Sequence, residues 1–285
     1  MRQPRLLVLA IAIAGACGPS GRDELGGGAV EPDAGTNTGS GNGGGSGSGG
    51  GGEQVYVYAH SATALYRVDP DSLAITKVGD FGWGSVGSDQ MTDIAIDKAG
   101  VMIGISFSRV YRVDTTNAQT TLLSNALDGT FNGLSYVPTT QIGGVGGGDD
   151  VLVGTRNSDG KVFRIDPMTG AATQAGDMGA FSSSGDLVAV DGFGTMQTVP
   201  GSTFGSDRLA RLAQASFSAT PVGSGDTGFS QIWGVAFWKN KIYGFTNGGQ
   251  FILIDATTGA GTMVSQTPGV AWWGAAVTTL APVLQ

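Results

Sequence analysis

The chain has 285 residues, a formal net charge of −8, a single cysteine and a single histidine, and 51 of its residues are glycine. An acidic chain without a basic cluster argues against nucleic acid as a partner, because phosphate binding requires lysine and arginine. A lone cysteine excludes a disulfide framework, and a lone histidine leaves a histidine-based metal site without its other ligands. The stability of the folded part must therefore come from its core.

The N-terminus has the pattern of an export signal. Two arginines in the first five residues precede eleven apolar residues at positions 6–16, which are too few to cross a bilayer core that needs about 20. The segment Ala14-Gly15-Ala16-Cys17 resembles a bacterial lipobox. The resemblance implies a signal peptide at residues 1–16 and lipidation of Cys17. The alternative is a free thiol, or an ordinary signal peptide whose apolar region contains the cysteine.

The next segment, residues 17–53, is rich in glycine, serine, asparagine, threonine, aspartate and proline, with a nearly pure Gly/Ser tract at 39–52. Such a composition cannot bury apolar surface, so we expect a disordered tether behind the lipidated cysteine. Cleavage removes two arginines and changes the formal net charge from −8 to −10. We expect a protein of the bacterial cell envelope, at the outer membrane, that contacts the membrane through its lipid anchor only.

Residues 54–285 repeat a short phrase of β-branched, aromatic and basic residues. The spacings between its second residues are 45, 52, 47 and 42. Those residues are Tyr66, Tyr111, Phe163, Ala210 and Ile252. A period of about 40–50 residues made of short strands is typical of a β-propeller blade. Alternating apolar residues and frequent glycine turns also favour strands over helices.

The two ends of this domain complement each other. The N-terminal end supplies three strands, starting near Val55, and the C-terminal end supplies one strand at 274–277. Because ring closure removes unpaired edge strands, the sequence predicts an all-β, five-bladed propeller in which one C-terminal strand joins three N-terminal strands, and we expect a monomer. Small residues recur at one position of the first strand of each unit, where neighbouring blades approach closely. They are Ala95, Ser135, Ala189, Ala236 and Ala276.

Aspartates follow the repeated phrase and are interpreted as turn residues whose carboxylates accept backbone N–H groups. They are Asp69, Asp114, Asp166 and Asp255. The turns Ile165-Asp166-Pro167-Met168-Thr169-Gly170 and Ile254-Asp255-Ala256-Thr257-Thr258-Gly259 resemble those of bacterial surface-layer-type and quinoprotein-like β-propellers. The resemblance implies a fold rather than an activity. Quinoprotein dehydrogenases usually carry a tryptophan shortly after Thr-Gly, and Ala171-Ala172-Thr173 stand there instead, so we expect no cofactor.

No catalytic constellation emerges from the sequence, and no catalytic or metal-binding residue is predicted. His60 lies at the end of a strand and is interpreted as a solvent-facing turn residue. An aspartate also occurs in each loop that leads into the first strand of a unit. These aspartates are interpreted as turn formers, and the alternative is that they converge on one mouth and bind Ca²⁺ or a glycan. They are Asp80, Asp128, Asp177 and Asp226.

The starts of the innermost strands gather candidate ligand-binding residues at one mouth of the ring. They are Asp93, Asn132, Asp186, Trp233, Trp272 and Trp273. Tryptophan beside amides and carboxylates is typical of a site for a sugar or another small ligand. The alternative is that these tryptophans only pack between blades. We expect a module that binds or scaffolds an envelope protein, a glycan or a small ligand. The alternative function is a propeller-fold glycoside hydrolase or lyase.

Overall fold

The structure is a computed structural model that describes residues 57–144, 146–203 and 205–284. The predicted signal peptide, Cys17, the tether and Val55 lie outside the described residues. Within the described ranges, twenty strands form five four-stranded antiparallel sheets, so the chain is a five-bladed β-propeller. Across the same ranges, no helix combines the length and the apolar character that crossing a bilayer would require.

The blades are numbered here in ring order. Blade 1 contains β1 (Val57–His60), β2 (Ala64–Val68), β3 (Ile75–Asp80) and the last strand, β20 (Gly274–Ala276). Blade 2 contains β4 (Asp93–Ile96), β5 (Met102–Ile105), β6 (Val110–Val113) and β7 (Thr120–Ser124). Blade 3 contains β8 (Gly133–Val137), β9 (Val151–Thr155), β10 (Lys161–Ile165) and β11 (Ala172–Asp177). Blade 4 contains β12 (Leu187–Val190), β13 (Gly194–Pro200), β14 (Asp207–Leu212) and β15 (Ala219–Pro221). Blade 5 contains β16 (Ile232–Trp238), β17 (Lys241–Thr246), β18 (Gln250–Asp255) and β19 (Gly261–Gln266). Single 3₁₀ turns lie at Gly84–Val86 and Thr139–Ile142.

The ring closes within blade 1, as the sequence predicts. Its strand order is β20-β1-β2-β3, and the antiparallel pairing of β20 with β1 places Tyr58 opposite Ala276 and His60 opposite Gly274. The C-terminal strand therefore covers the edge of β1 that would otherwise be free to pair with another chain.

The innermost strands β20, β4, β8, β12 and β16 contact one another around the ring axis. The small residues that the sequence predicts in one column of these strands are all buried, but in blade 4 the predicted register is wrong by one residue. Asp186 occupies the position of Asp93, since each carboxyl group accepts the N–H of the residue that follows it. Val188 therefore stands in the column of Ala95, and Ala189 lies one residue further along. Small side chains at this position in the other four blades allow neighbouring blades to approach closely.

The hydrophobic core fills the spaces between blades. Successive side chains of a strand point to opposite faces of its sheet, so each blade presents an apolar face to both neighbours. Tyr58 and Leu65 of blade 1 pack with Ile94 and Tyr111 of blade 2, for example. Fully burying a large apolar side chain stabilises a fold by about 1.5–3 kcal/mol. The interfaces between blades bury many such side chains.

The aspartates that follow the repeated phrase form turns, as the sequence predicts. Asp255 Oδ1 accepts N–H bonds from Thr257 at 2.9 Å and Thr258 at 2.7 Å. The bond from Thr258 is the main reason that the pKa of Asp255 lies below its usual value. Asp69, Asp114 and Asp166 accept equivalent N–H bonds two residues further along. These turns lie on one face of the ring, and the inner strands begin on the opposite face, called here the mouth face.

Candidate functional site

Two carboxyl groups meet the inward-pointing backbone N–H groups of the inner strands at the mouth face. Asp186 accepts four of these N–H groups and Asp93 accepts the fifth, with N···O distances from 2.6 to 3.4 Å. The five donors, one from each blade, are Ile94, Leu134, Leu187, Val235 and Ala275. Backbone groups that would otherwise be unpaired in the interior are thereby satisfied.

Glycine occupies the position equivalent to these aspartates in the other three blades. The residues are Gly133, Gly234 and Gly274. A Cβ atom on Gly274 would overlap the Asp93 carboxyl group and the His60 ring, and one on Gly234 would overlap the backbone at Gly274. The axis therefore has room for two side chains because three blades contribute none.

The two carboxyl groups retain a proton between them. Both are fully buried, and burial raises the pKa of Asp186 to about 8. Burial, followed by the negative charge of Asp186, raises the pKa of Asp93 well above its usual value. Two negative charges beside each other in the interior would repel, so the pair retains at least one proton at neutral pH. Both oxygens of Asp186 accept N–H bonds, whereas Asp93 Oδ2 is buried without a hydrogen-bond partner.

The prediction that His60 faces solvent is wrong. Its side chain is fully buried beside the ring axis, because β1 lies next to β20, and its ring packs edge-on against Phe81. Burial lowers the pKa of His60 to about 4, so the imidazole is neutral. Nδ1 donates to the Ser61 carbonyl at 2.9 Å, and Nε2 lies 3.7 Å from Asp93 Oδ1, which is too far for a hydrogen bond.

Three of the six predicted ligand-binding residues are fully buried, namely Asp93, Asp186 and Trp272. The expectation that they line the mouth needs correction, because a ligand on the surface does not reach them in this structure. Trp272 packs edge-on against Tyr66 and Phe245, with ring centroids 4.9 and 5.6 Å apart. Its neighbour Trp273 points outward, since successive side chains of an extended chain alternate.

Asn132, a fourth predicted residue, is half-buried between blades 3 and 4. Its Nδ2 donates to the Ser183 carbonyl at 3.3 Å, whereas its Oδ1 is buried without a hydrogen-bond partner. Asn132 therefore serves the contact between blades in this structure and leaves one acceptor unused.

The remaining two predicted residues lie together in an exposed row of rings, called here the aromatic strip. Trp233 of blade 5 meets Trp273, just before β20, edge to face at a centroid distance of 6.0 Å. Trp273 in turn meets Phe107 of blade 2 at 6.5 Å. Phe107 is 56% exposed, and both tryptophans are partly exposed. Three blades thus contribute to one aromatic surface on the mouth face.

The backbone before and at Trp233 is irregular. Gln231 has a φ of +54°, which is uncommon for a residue with a side chain. In the pairing of β16 with β17, Ile232 faces Thr246 and Gly234 faces Phe245, so Trp233 is the extra residue of a β-bulge. Bulges redirect side chains and are frequent beside functional sites.

A cleft of about 330 Å³ adjoins the strip, and Trp273 forms part of its wall. Its other walls come from the β1–β2 turn at residues 61–64, from Tyr66, Lys77 and Asp80, and from residues 269–271. Lys77 Nζ lies 2.7 Å from Asp80 Oδ1, so the two charges on this wall neutralise each other. The volume lies at the lower end of the range of small-molecule sites, about 300–1,000 Å³.

Two of the loop aspartates accept backbone N–H groups, and one of them does so as a turn former. Asp177 accepts the N–H of Gly179 two residues further along, whereas Asp226 accepts those of Ser202 and Thr203 in the distant turn between β13 and β14. The last two bonds lower the pKa of Asp226 to about 2. In the part of the chain that the structure describes, no three histidine, cysteine, aspartate or glutamate side chains are grouped as metal ligands.

Phe107 was missed by the sequence analysis. It stands between two serines, Ser106 and Ser108, in the turn between β5 and β6. No sequence signal distinguishes it, because Phe217 has the same Ser-Phe-Ser context in the turn between β14 and β15 and is fully buried.

No family model matches the chain, and no curated protein matches its sequence. Solved structures do match. One, from a nidogen/laminin complex, is 9% identical with a TM-score of 0.52, and covers 80% of this chain and 100% of that one. Another, a symmetrical protein studied for its de novo evolutionary emergence, is 17% identical with a TM-score of 0.51, and covers 81% of this chain and 100% of that one. An auxiliary nutrient binding protein from Bacteroides ovatus ATCC 8483 is 14% identical with a TM-score of 0.43, and covers 73% of this chain and 53% of that one. The first two likenesses support the β-propeller fold and nothing beyond it.

Proposed function

We propose that this chain is a bacterial envelope lipoprotein whose propeller binds a ligand on the aromatic strip. The observation that carries the proposal is the contact of Trp233, Trp273 and Phe107, three partly exposed rings from three blades on one face. Aromatic residues are enriched in the parts of protein surfaces that bind partners. Scattered apolar residues are normal on a surface, whereas a contiguous aromatic row is characteristic of an interaction site.

The strip is suited to binding because its rings are held before a ligand arrives. Trp273 is fixed by its backbone N–H, which donates to the His60 carbonyl at 2.8 Å. Trp233 lies within a strand at the bulge. Rings that are already ordered lose little side-chain freedom on binding, so more of the contact energy contributes to affinity.

The proposed location follows from the N-terminal sequence. A lipid on Cys17 would hold the protein at a membrane, and the 36 residues at 18–53 would separate the propeller from it. A flexible coil of that length spans roughly 30–36 Å on average. The strip would then be available to envelope components without docking of the acidic propeller on anionic lipid.

The alternative, a glycoside hydrolase or lyase, has no supporting arrangement among the described residues. Asp93 and Asp186 are the paired carboxyl groups of the mouth face, and both are fully buried and bonded to backbone N–H groups. A glycosidase acid and its partner must flank the scissile bond, and these two groups flank the ring axis instead.

The test uses the full-length chain in mild detergent and three probe classes: neutral polysaccharides, anionic polysaccharides and a mixture of envelope-derived peptides. Tryptophan fluorescence and calorimetry measure binding to wild type, Trp233→Ala and Trp273→Ala. We expect each replacement to weaken binding by roughly 1–3 kcal/mol, the scale of a lost aromatic contact. Trp238→Ala is the matched control, because Trp238 lies at the other end of the same strand.

Binding that is unchanged in both strip variants, or weakened equally by the control, would refute the proposed site. Product analysis of the same mixtures covers the alternative. Release of reducing sugar or of unsaturated product by wild type, abolished by a single aspartate replacement, would establish an enzyme instead.

A further inference from the structure

We infer that the ligand is an uncharged carbohydrate, with one sugar ring stacked on Trp273 and the next in the adjoining cleft. The inference rests on the proposed function and adds the ligand class. The geometric evidence for this ligand class is Trp273, because its side chain belongs both to the aromatic strip and to the wall of the cleft of about 330 Å³. A chain of rings can therefore continue from the strip into the cleft without leaving the protein surface.

The cleft wall presents hydroxyl groups. Ser61 Oγ accepts N–H bonds from Thr63 at 3.3 Å and from Ala64 at 3.0 Å, so its hydroxyl proton is directed elsewhere and is free to be donated. The side chain of Thr63 is exposed in the same turn. A sugar has an apolar C–H face and a rim of hydroxyl groups, which match an aromatic ring beside serine and threonine.

The charges of this region favour a neutral ligand. Lys77 and Asp80 lie on the cleft wall and neutralise each other at 2.7 Å, so neither selects a ligand of opposite charge. The whole chain carries a formal net charge of −8, which disfavours the approach of an anionic polysaccharide. The paired charges still offer hydrogen bonds to hydroxyl groups.

Peptide capture is the competing outcome. Peptides are commonly captured along an unpaired sheet edge, and β3, the outermost strand of blade 1, contributes Lys77 and Asp80 to the cleft wall. The hydroxyl groups of the cleft and the mutual neutralisation of these two charges favour the carbohydrate.

The experiment compares each neutral polysaccharide with its carboxymethylated form on the same backbone, using hydroxyethylcellulose, xylan, mannan, dextran and laminarin. Affinity electrophoresis and calorimetry are run on the full-length chain. We expect at least one neutral polymer to bind and its carboxymethylated form to bind at least tenfold more weakly. Trp273→Ala should weaken binding roughly five- to 150-fold, the equivalent of a loss of about 1–3 kcal/mol, and Thr63→Val should weaken it about three- to tenfold.

Two further variants sharpen the test. Thr76→Val makes the same change on the exposed face of β3, outside the cleft, and should leave binding unchanged. Asp80→Asn leaves Lys77 without its partner, so the carboxymethylated polymer should gain affinity relative to the neutral one. Thermal unfolding of each variant shows whether it is folded.

Each other outcome overturns the inference. Binding of only anionic polymers or peptides, lost in Trp233→Ala and Trp273→Ala, would refute the ligand class and leave the proposed function standing. If Thr63→Val and Trp273→Ala both bind the neutral polymer as tightly as wild type does, the proposed site is refuted. Absence of binding to any neutral polymer by folded wild type would also refute the ligand class.

Discussion

The proton that the carboxyl pair retains at the ring axis makes stability depend on pH, and Asp93→Asn should remove that dependence. The folded pair holds at least one proton up to about pH 8, whereas unfolded aspartates release theirs above about pH 4. Folding therefore takes up a proton between these values, and the free energy of unfolding falls as pH rises, by about 1.4 kcal/mol per pH unit.

His60 has the opposite effect in part of this window. Its pKa is about 4 in the folded chain and 6.5 ordinarily, so folding releases a proton between these values and stability rises with pH. The two slopes oppose each other up to pH 6.5. From pH 6.5 to 8 the carboxyl pair acts without that opposition, and wild type should lose about 2 kcal/mol or more.

Asp93→Asn removes one of the two ionisable groups of the pair, and the amide oxygen can still accept the Ile94 N–H. We expect the free energy of unfolding to fall less steeply above pH 6.5, by the roughly 1.4 kcal/mol per pH unit that one proton contributes. Urea unfolding followed by tryptophan fluorescence at half-unit steps from pH 5.5 to 8.5, at constant ionic strength, measures the slope. Burial also raises the pKa of Asp207. Asp207 is present in wild type and in Asp93→Asn, so its contribution to the slope is the same in both proteins.

Asp149→Asn is the control, because it makes the same chemical change on a fully exposed side chain. It should leave the wild-type slope unchanged. A flat wild-type profile between pH 6.5 and 8, or an equal slope in Asp93→Asn, would show that the pair retains no such proton at the axis.

Three other predictions follow from the fold and the N-terminal sequence. Gly274→Ala should lower the free energy of unfolding by roughly 1–3 kcal/mol, because the added Cβ overlaps the Asp93 carboxyl group. Gly225→Ala is the control and should lower it less, because the added Cβ meets nothing within 4 Å. Equal urea midpoints for the two variants would contradict the prediction. Deleting residues 271–285 removes β20 and exposes the edge of β1, so light scattering should detect aggregation or calorimetry a large fall in Tm; a monomer with an unchanged Tm would contradict ring closure. Labelled palmitate should enter wild type and not Cys17→Ser, and a mature N-terminus elsewhere without lipid, read by mass spectrometry, would disprove the anchor.

The strands and the ring closure could be predicted because their signals are local. The repeated phrase around Tyr66, Tyr111 and Phe163 alternates apolar and polar residues with a period of two, and this period fixes which face is buried. Aspartate turns such as that at Asp255 depend on residues two and three positions away. Three leftover strands at the N-terminal end and one at the C-terminal end then leave one way to complete the last blade.

The axis could not be predicted, because its contacts join distant residues. Asp186 accepts N–H groups from Val235, 49 residues away, and from Ala275, 89 residues away. The sequence placed Asp93 and Asp186 correctly at the starts of inner strands. It gave no sign that their side chains turn toward the backbone at the axis instead of toward solvent.

The exposure of the tryptophans could be predicted only in part. Trp272 and Trp273 are adjacent in an extended segment, so alternation alone predicts that one of them is buried, and the identity of the buried one depends on register. Trp233 reaches the surface through a bulge that no local pattern marks, since the unusual φ precedes it at Gln231, a residue without a preference for that conformation.

The bonds at the ring axis have a consequence for how the domain unfolds. In an array of repeats each unit contacts only its neighbours, so part of the array can open while the rest stays folded. Asp186 of blade 4 accepts the N–H of Ala275 of blade 1, and its charge raises the pKa of Asp93 of blade 2, although neither blade is its neighbour. Opening a single blade therefore disrupts a network in which the other four take part. We therefore expect the five repeated units to unfold together as one cooperative domain.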